Sequence, residues 1–312
     1  MYIMLSRILQ RGLFLWFGVV TLACSAAFAQ DASPLQPDLA AGQLRDRHAS
    51  LTQALTNNAY GRPLYLDSEQ TGNRVTGNAY AVLNAPFDVV SSSLKSPQRV
   101  CDLIILHINT KYCRPTQSSI PATLKVNFGK KTAQALNDTF ALEFATTANA
   151  ASATYLQVEL NAEKGPLGTS DYRIELAAIP LPGDKTFLHL RYSYGFGLAG
   201  KLAMQAYLAT AGSSKIGFTQ VANTQSNQGA TKAYVGGMRG AVERNTMRYY
   251  LAIDAYLSSL AAPPAQQLNS RLEKWFDSTE QYAAQLRETD KASYLAMKYD
   301  EVKRQQSALP AR

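Results

Sequence analysis

Six segments between residues 124 and 218 alternate apolar and polar residues: Leu124, Val126 and Phe128; Phe140, Leu142 and Phe144; Leu156, Val158 and Leu160; Tyr172, Ile174 and Leu176; Leu188, Leu190, Tyr192 and Tyr194; Ile216 and Phe218. A period of two is the side-chain period of a strand with one buried face. Between these segments stand Asn137-Asp138, Lys164-Gly165-Pro166, Leu181-Pro182-Gly183-Asp184 and Gly212-Ser213-Ser214, residue types that turn a chain back on itself. Together they predict an antiparallel sheet covered on one side.

The flanks of this region read as helices. Leu44, Leu51 and Leu55 recur at helical spacing, predicting a peripheral helix that Asn57-Asn58 and Gly61-Arg62-Pro63 stop. Residues 77–84 read as a strand. Ala85-Pro86-Phe87 opens a helix that breaks at Ser96-Pro97, and a second apolar run covers 100–108. Leu198 to Thr210 predicts a short inserted helix. Residues 239–260 predict the longest helix, with Val242, Tyr249, Ile253, Tyr256 and Leu260 on one stripe and Pro263-Pro264 after it. A last helical segment, 266–306, is apolar at Leu268, Leu272, Trp275, Phe276, Tyr282 and Leu286. The fold class expected is α+β, a curved antiparallel sheet gripping a long C-terminal helix, with extra helices at both ends.

The stretch from Asn78 through Ala85-Pro86-Phe87 to Cys101 resembles the opening of START and Bet v 1-like helix-grip domains, where a first strand ends in a small residue, proline and an aromatic before a short helix. Gly237-Met238-Arg239 leading into the long helix is similar to how such domains close. The resemblance spans about residues 72–261. It implies a cavity between sheet and long helix that holds a hydrophobic or amphipathic small molecule such as a lipid. In that setting Tyr172, Tyr192 and Tyr194 need partners for their hydroxyls. Arg244 and Arg248, one helical turn apart, have a spacing suited to clasping an anionic head group; the alternative is a solvated, ion-paired face shared with Glu243.

At the N-terminus, Arg7 and Arg11 precede an apolar run, Leu13 to Val20, and small residues ending in Ala27-Phe28-Ala29. This is the order of a secretory signal peptide. The expected organisation is therefore a signal peptide at 1–29, a linker with a peripheral helix at 30–71, the helix-grip domain at 72–261 and a helical extension at 262–312. Thr21-Leu22-Ala23-Cys24 partly resembles a lipoprotein box, so anchoring through Cys24 is the alternative to a freely periplasmic or secreted protein. Cys101 and Cys113 are the only cysteines left after cleavage, and an oxidising compartment favours their pairing.

Without Arg7 and Arg11 the chain carries 29 basic and 23 acidic side chains, a balance of +6. There is no Lys/Arg block of the kind that binds nucleic acid; weak attraction to an anionic membrane surface is compatible with the charge. Gly195-Phe196-Gly197-Leu198-Ala199-Gly200 matches a dinucleotide fingerprint, yet no acidic residue occurs between Lys185 and Val242 to hold a ribose. The sequence shows no G-x-S-x-G or H-E-x-x-H motif. His107 lies among Leu and Ile and reads as a core or helix-end residue; His189, between Leu188 and Leu190, is expected to face solvent. The reading is an exported, non-catalytic binding protein for a lipid-like molecule, without cofactor or metal. The alternatives are an exported hydrolase or cyclase using the same cavity, or an envelope-assembly protein.

Overall fold

The computed structural model describes residues 37–116, 122–210, 215–223 and 231–307. The expected signal peptide and Cys24 lie outside the described residues.

An eight-stranded antiparallel sheet forms the body of the protein. Its strands are β1 (Leu64–Thr71), β2 (Arg74–Leu83), β3 (Thr110–Thr116), β4 (Thr123–Phe128), β5 (Phe140–Ala151), β6 (Leu156–Lys164), β7 (Thr169–Leu181) and β8 (Lys185–Phe196). They lie in the order β1-β2-β8-β7-β6-β5-β4-β3, so β2 reaches across to pair with β8. Hairpins join the rest. Gly72, at a φ of 57°, supplies the left-handed residue that lets Thr71 and Arg74 pair across a two-residue turn.

Helices cover both faces. α2 (Phe87–Lys95) and α3 (Pro97–Ile104) follow β2, and Ser96 caps α3 by accepting from the Arg99 amide. The long α5 (Gly237–Ser259) crosses the inner face with Val242, Tyr249, Ile253 and Tyr256 buried against Leu160, Ile174, Leu176 and Leu190. Gly77 marks the closest approach: a β-carbon there would collide with Thr246 Oγ1 of α5. A disulfide joins Cys101 of α3 to Cys113 of β3, with α-carbons 5.2 Å apart.

The outer face is not left bare, contrary to the one-sided sheet expected. α1 (Pro37–Thr56) seats Leu44, Leu51 and Leu55 on Tyr155, Ile179 and Phe187 as a second, smaller core. The reason is visible in β7, where Ala177 and Ile179 are apolar on the side opposite Ile174, Leu176 and Ala178.

Three further expectations change. Ile216 and Phe218 are not in a strand. The Gly217 amide donates to the Val235 carbonyl, and the Phe218 and Thr219 amides donate to the Glu243 carboxylate, which takes the groups a ladder would use. The nearby β9 (Gln220–Asn223) and β10 (Thr231–Tyr234) form a separate two-stranded sheet. The C-terminal helical segment is broken into α6 (Pro264–Glu280), α7 (Ala283–Leu286) and α8 (Lys291–Ser307). The break is fixed by Tyr282, whose hydroxyl donates to the Tyr60 carbonyl, and by Asp290, which accepts from the Ser293 amide at the start of α8. Trp275 and Phe276 of α6 are buried, stacked with Tyr294 of α8.

α8 lies along β3 at the end of the sheet. Lys298 donates to the carbonyls of His107 and Thr110 (2.8 Å each) and to Glu301 Oε2 (2.7 Å). The other carboxylate oxygen lies 3.0 Å from Lys111 Nζ, close but outside hydrogen-bond geometry. Gln305 accepts from the Cys113 amide. Lys111, Lys298 and Glu301 are all fully or almost fully buried. Burial, only partly offset by Glu301, lowers Lys298 to a pKa of about 8.

Candidate functional site

The space between the sheet and α5 is lined in its middle by Leu94, Leu103, Ile104, Leu160, Ile174 and Ile253 around an apolar void of about 20 Å³. That is room for roughly one water-sized sphere and offers no polar partner to a water. The middle of the space is therefore closely packed.

Its character changes toward the end where β6 turns into β7. Alternation along β7 and β8 puts Tyr172, Tyr192 and Tyr194 on the inner face, and α5 brings Tyr249 down on them. Their rings form a connected group: Tyr172 and Tyr194 are 5.3 Å apart, Tyr192 and Tyr194 5.7 Å, and Tyr192 and Tyr249 5.3 Å. Tyr249 in turn stacks on His107 at 4.8 Å. Such contacts hold the rings beyond what area burial supplies.

The hydroxyls are less well served. Tyr172 donates to Thr169 Oγ1 at 2.9 Å. No hydrogen bond joins the hydroxyls of Tyr192, Tyr194 or Tyr249 to another described residue, and all three side chains are buried. His107 Nε2 is buried without a partner as well, while Nδ1 accepts from the Asn109 amide. Burial, reinforced by the neighbouring tyrosines, drives Tyr192 far above the usual tyrosine range. Burial, with Arg248 and Lys298 adding to it, holds His107 neutral far below the usual histidine range.

The polar residues at the start of α5 are buried, not solvated. Glu243 is fully buried; it accepts from Ser68 Oγ (2.6 Å) and from the amides of Phe218 and Thr219 (2.6 and 2.9 Å). Arg244 donates to the Ile216 carbonyl at 3.1 Å and acts on the Tyr194 hydroxyl electrostatically, so it borders the tyrosine group. Arg248 points elsewhere. It donates to Glu288 Oε1 (2.8 Å) and the Leu286 carbonyl (3.2 Å), tying α5 to the segment after α7. Burial works against the Glu288 charge, but Arg248, Lys131 and Lys215 outweigh it and hold the carboxyl below its usual range. The structure thus brings Tyr172, Tyr192, Tyr194 and Arg244 together and leaves Arg248 in an ion cluster of its own.

His189 departs from the solvent-facing expectation. On the outer face it stacks on Tyr80 (4.2 Å, 7° between planes), and its Nε2 pairs with Asn78 Oδ1 at 3.0 Å. Burial, then Arg191 and Arg47, lower it to a pKa of about 4. The sequence could not show this, because α1 supplies the cover. Tyr249 and His107 were also not singled out for the site, although the stripe on the long helix contained Tyr249. Among the described residues no group of three His, Cys, Asp or Glu side chains could hold a metal ion.

No family model matches the chain, and no curated protein matches it. Among solved structures it is similar to human StAR-related lipid transfer protein 5 (11% identity, 56% of this chain and 91% of that one, TM-score 0.30). It is also similar to the Zhui aromatase/cyclase from a Streptomyces species (10% identity, 67% and 94%, TM-score 0.33). A norcoclaurine synthase from Thalictrum flavum gives 11% identity, 46% and 89% coverage and a TM-score of 0.34. At such scores none of these names says what this chain binds. The helix-grip arrangement is read from the chain's own path: two strands, two short helices, six antiparallel strands, then, after α4 (Leu198–Ala209) and the small β9–β10 sheet, a long helix laid across the inner face.

Proposed function

We propose that this protein is an exported, non-catalytic binder of an amphipathic, lipid-like small molecule, held at the tyrosine end of the space between sheet and α5. One observation carries the reading: the side chains of Tyr192, Tyr194 and Tyr249 are buried with their rings grouped, and their hydroxyls make no hydrogen bond to another described residue. Tyrosine hydroxyls inside a protein usually find a hydrogen-bond partner. A ligand with an apolar body and one or two oxygens would rest on the rings and satisfy the hydroxyls. Arg244 beside Tyr194 favours an anionic or strongly polar end on that ligand. The packed middle of the space limits the ligand to the tyrosine end. Export is supported by the signal-like N-terminus and by the Cys101–Cys113 disulfide. A passive role is supported by His107, which is held neutral, and by Glu243 and Arg248, whose charges are engaged by the fold.

The test combines extraction with two variants. Organic extracts of protein purified from its native compartment, analysed by mass spectrometry, are expected to contain a co-purifying amphipathic molecule. In titrations with a fluorescent fatty acid, Tyr192→Phe and Tyr194→Phe are each expected to weaken binding about three- to tenfold. Neither should lower stability in urea melts, since no internal hydrogen bond is lost. An empty extract together with no binding of the probe overturns the proposal.

A further inference from the structure

Three of the four most exposed large apolar side chains of the described residues gather at one tip; the fourth, Leu39, lies on α1. α4 (Leu198–Ala209) leaves β8 directly after Phe196 and Gly197. Its only polar residues are Lys201 and Gln205. Leu198 is 75% exposed and Leu202 56%, and Leu167 in the turn between β6 and β7 is 62% exposed. The two pieces touch: a β-carbon on Gly168 would meet Ala199, and one on Gly200 would meet the Leu167 carbonyl. Leu198, Lys201 and Leu202, at i, i+3 and i+4, share one side of the helix, and Lys201 is exposed with them. A globular helix normally turns its leucines to a core, whereas Leu198 and Leu202 face outward.

Charge indicates what covers the tip. α4 carries Lys201 and no acidic residue, and beside the tip Asp171 is paired with Arg74 and Arg173. At the end of β6, Lys164 is balanced by Glu163. A protein partner of ordinary surface composition would gain little from so uniform a helix; a lipid surface accepts leucines at any register and takes a flanking lysine at its head groups. The helix is about 18 Å long, and no helix of the described residues is long and apolar enough to cross a membrane. It suits lying in the interface.

We infer that α4 and the β6–β7 turn form a docking tip for anionic phospholipid surfaces, inserting Leu167, Leu198 and Leu202 with Lys201 at the head groups. The tip is continuous with the tyrosine end of the inner space, since Gly165 packs on Tyr172 and α4 follows Tyr194 by four residues. Docking and ligand binding are nonetheless separable.

Flotation of the full processed chain with vesicles tests this without any bound ligand. The vesicles are phosphatidylcholine alone, or phosphatidylcholine and phosphatidylglycerol in equal parts. Wild-type protein is expected to float with the anionic vesicles and to lose binding as salt rises. Leu198→Ser with Leu202→Ser should lower partitioning at least about tenfold. Lys201→Glu should lower it about fivefold or more, and only on anionic vesicles. Phe140→Ser, an exposed apolar residue on β5, should change nothing. All these positions are exposed or half-exposed, and urea melts confirm folding. Flotation with neither vesicle, or equal flotation of wild type and the leucine variant, overturns the inference. So does a dimer in sedimentation velocity that the leucine variant abolishes, which would assign the tip to a second copy of the chain.

Discussion

Replacing Glu301 by glutamine removes the only carboxylate among the described residues that faces the buried ammonium groups of Lys298 and Lys111, at 2.7 and 3.0 Å. At an effective dielectric near 20, each contact is worth about 5 kcal/mol of Coulomb attraction. The loss is smaller, because a lysine without a partner can give up its proton. Lys298 has a pKa of about 8, so neutralising it at pH 7 costs only about 1 kcal/mol, which bounds its share. Lys111 is lowered by burial too but still has a charge to lose, and its share is larger. The expected cost of Glu301→Gln at pH 7 is about 3 kcal/mol, at the low end for stripping one partner from a buried pair. A pH dependence follows from the same numbers. Lys298 titrates lower when folded than when unfolded, so between about pH 8 and 10 the unfolded chain binds more protons and stability rises with pH. At about pH 9.5 Lys298 is already neutral in the wild type, and the cost of the variant should fall by about 1 kcal/mol. Above about pH 10 the buried tyrosines oppose the rise, since they ionise first in the unfolded chain. Urea melts at the two pH values, extrapolated linearly, measure both quantities. A cost below about 1 kcal/mol at pH 7, or an equal cost at both pH values, refutes the reasoning.

Cys101→Ser should destabilise the protein by up to about 3 kcal/mol, the scale for closing a loop of 12 residues, and reducing agent should lower the wild-type urea midpoint similarly. Gly77→Ala should cost about 1–3 kcal/mol by pushing β2 away from Thr246, and Thr246→Ala in the same chain should recover most of it; additive losses would contradict the close approach. Ala178→Leu enlarges a fully buried residue on the inner face of β7 and should cost about 1–3 kcal/mol, because the packed apolar core around it leaves no room for three more carbons; an unchanged melt would mean more room than the packing shows. In an NMR titration the imidazole of His189 should remain neutral down to about pH 5 with a midpoint of about 4, and a midpoint above about 6 would mean that α1 does not cover it.

Much of the sheet was legible because its strands carry one apolar face each: Leu124 to Phe128, Leu156 to Leu160 and Leu188 to Tyr194 show the period directly. β1 and β3 were not. In β3, Thr110, Lys111, Tyr112 and Cys113 are buried in succession because α8 covers the side that alternation would leave polar. A fully buried lysine has no signature in a sequence; it becomes intelligible only when Glu301, some 190 residues later, is brought beside it. The same holds for the candidate site. Tyr172, Tyr192 and Tyr194 share a strand face and could be grouped by counting, whereas His107 joins them only through packing on Tyr249. Arg244 and Arg248 looked equivalent at one-turn spacing. The partner of Arg248 is Glu288, in the linker before α8, and no local rule links the two.

The way α8 meets β3 bears on what an edge strand can pair with. An outermost strand leaves every second amide and carbonyl unspent, and such a row invites another chain to add itself. Here side chains stand in for the missing neighbour: Gln305 takes the Cys113 amide and Lys298 takes the carbonyl of Thr110. At this edge of the sheet α8 thus occupies groups that a further strand would need. A protease that removed it would bare the β3 edge together with Trp275, Phe276 and Lys111, so aggregation and lost stability should appear together in forms of the chain without α8.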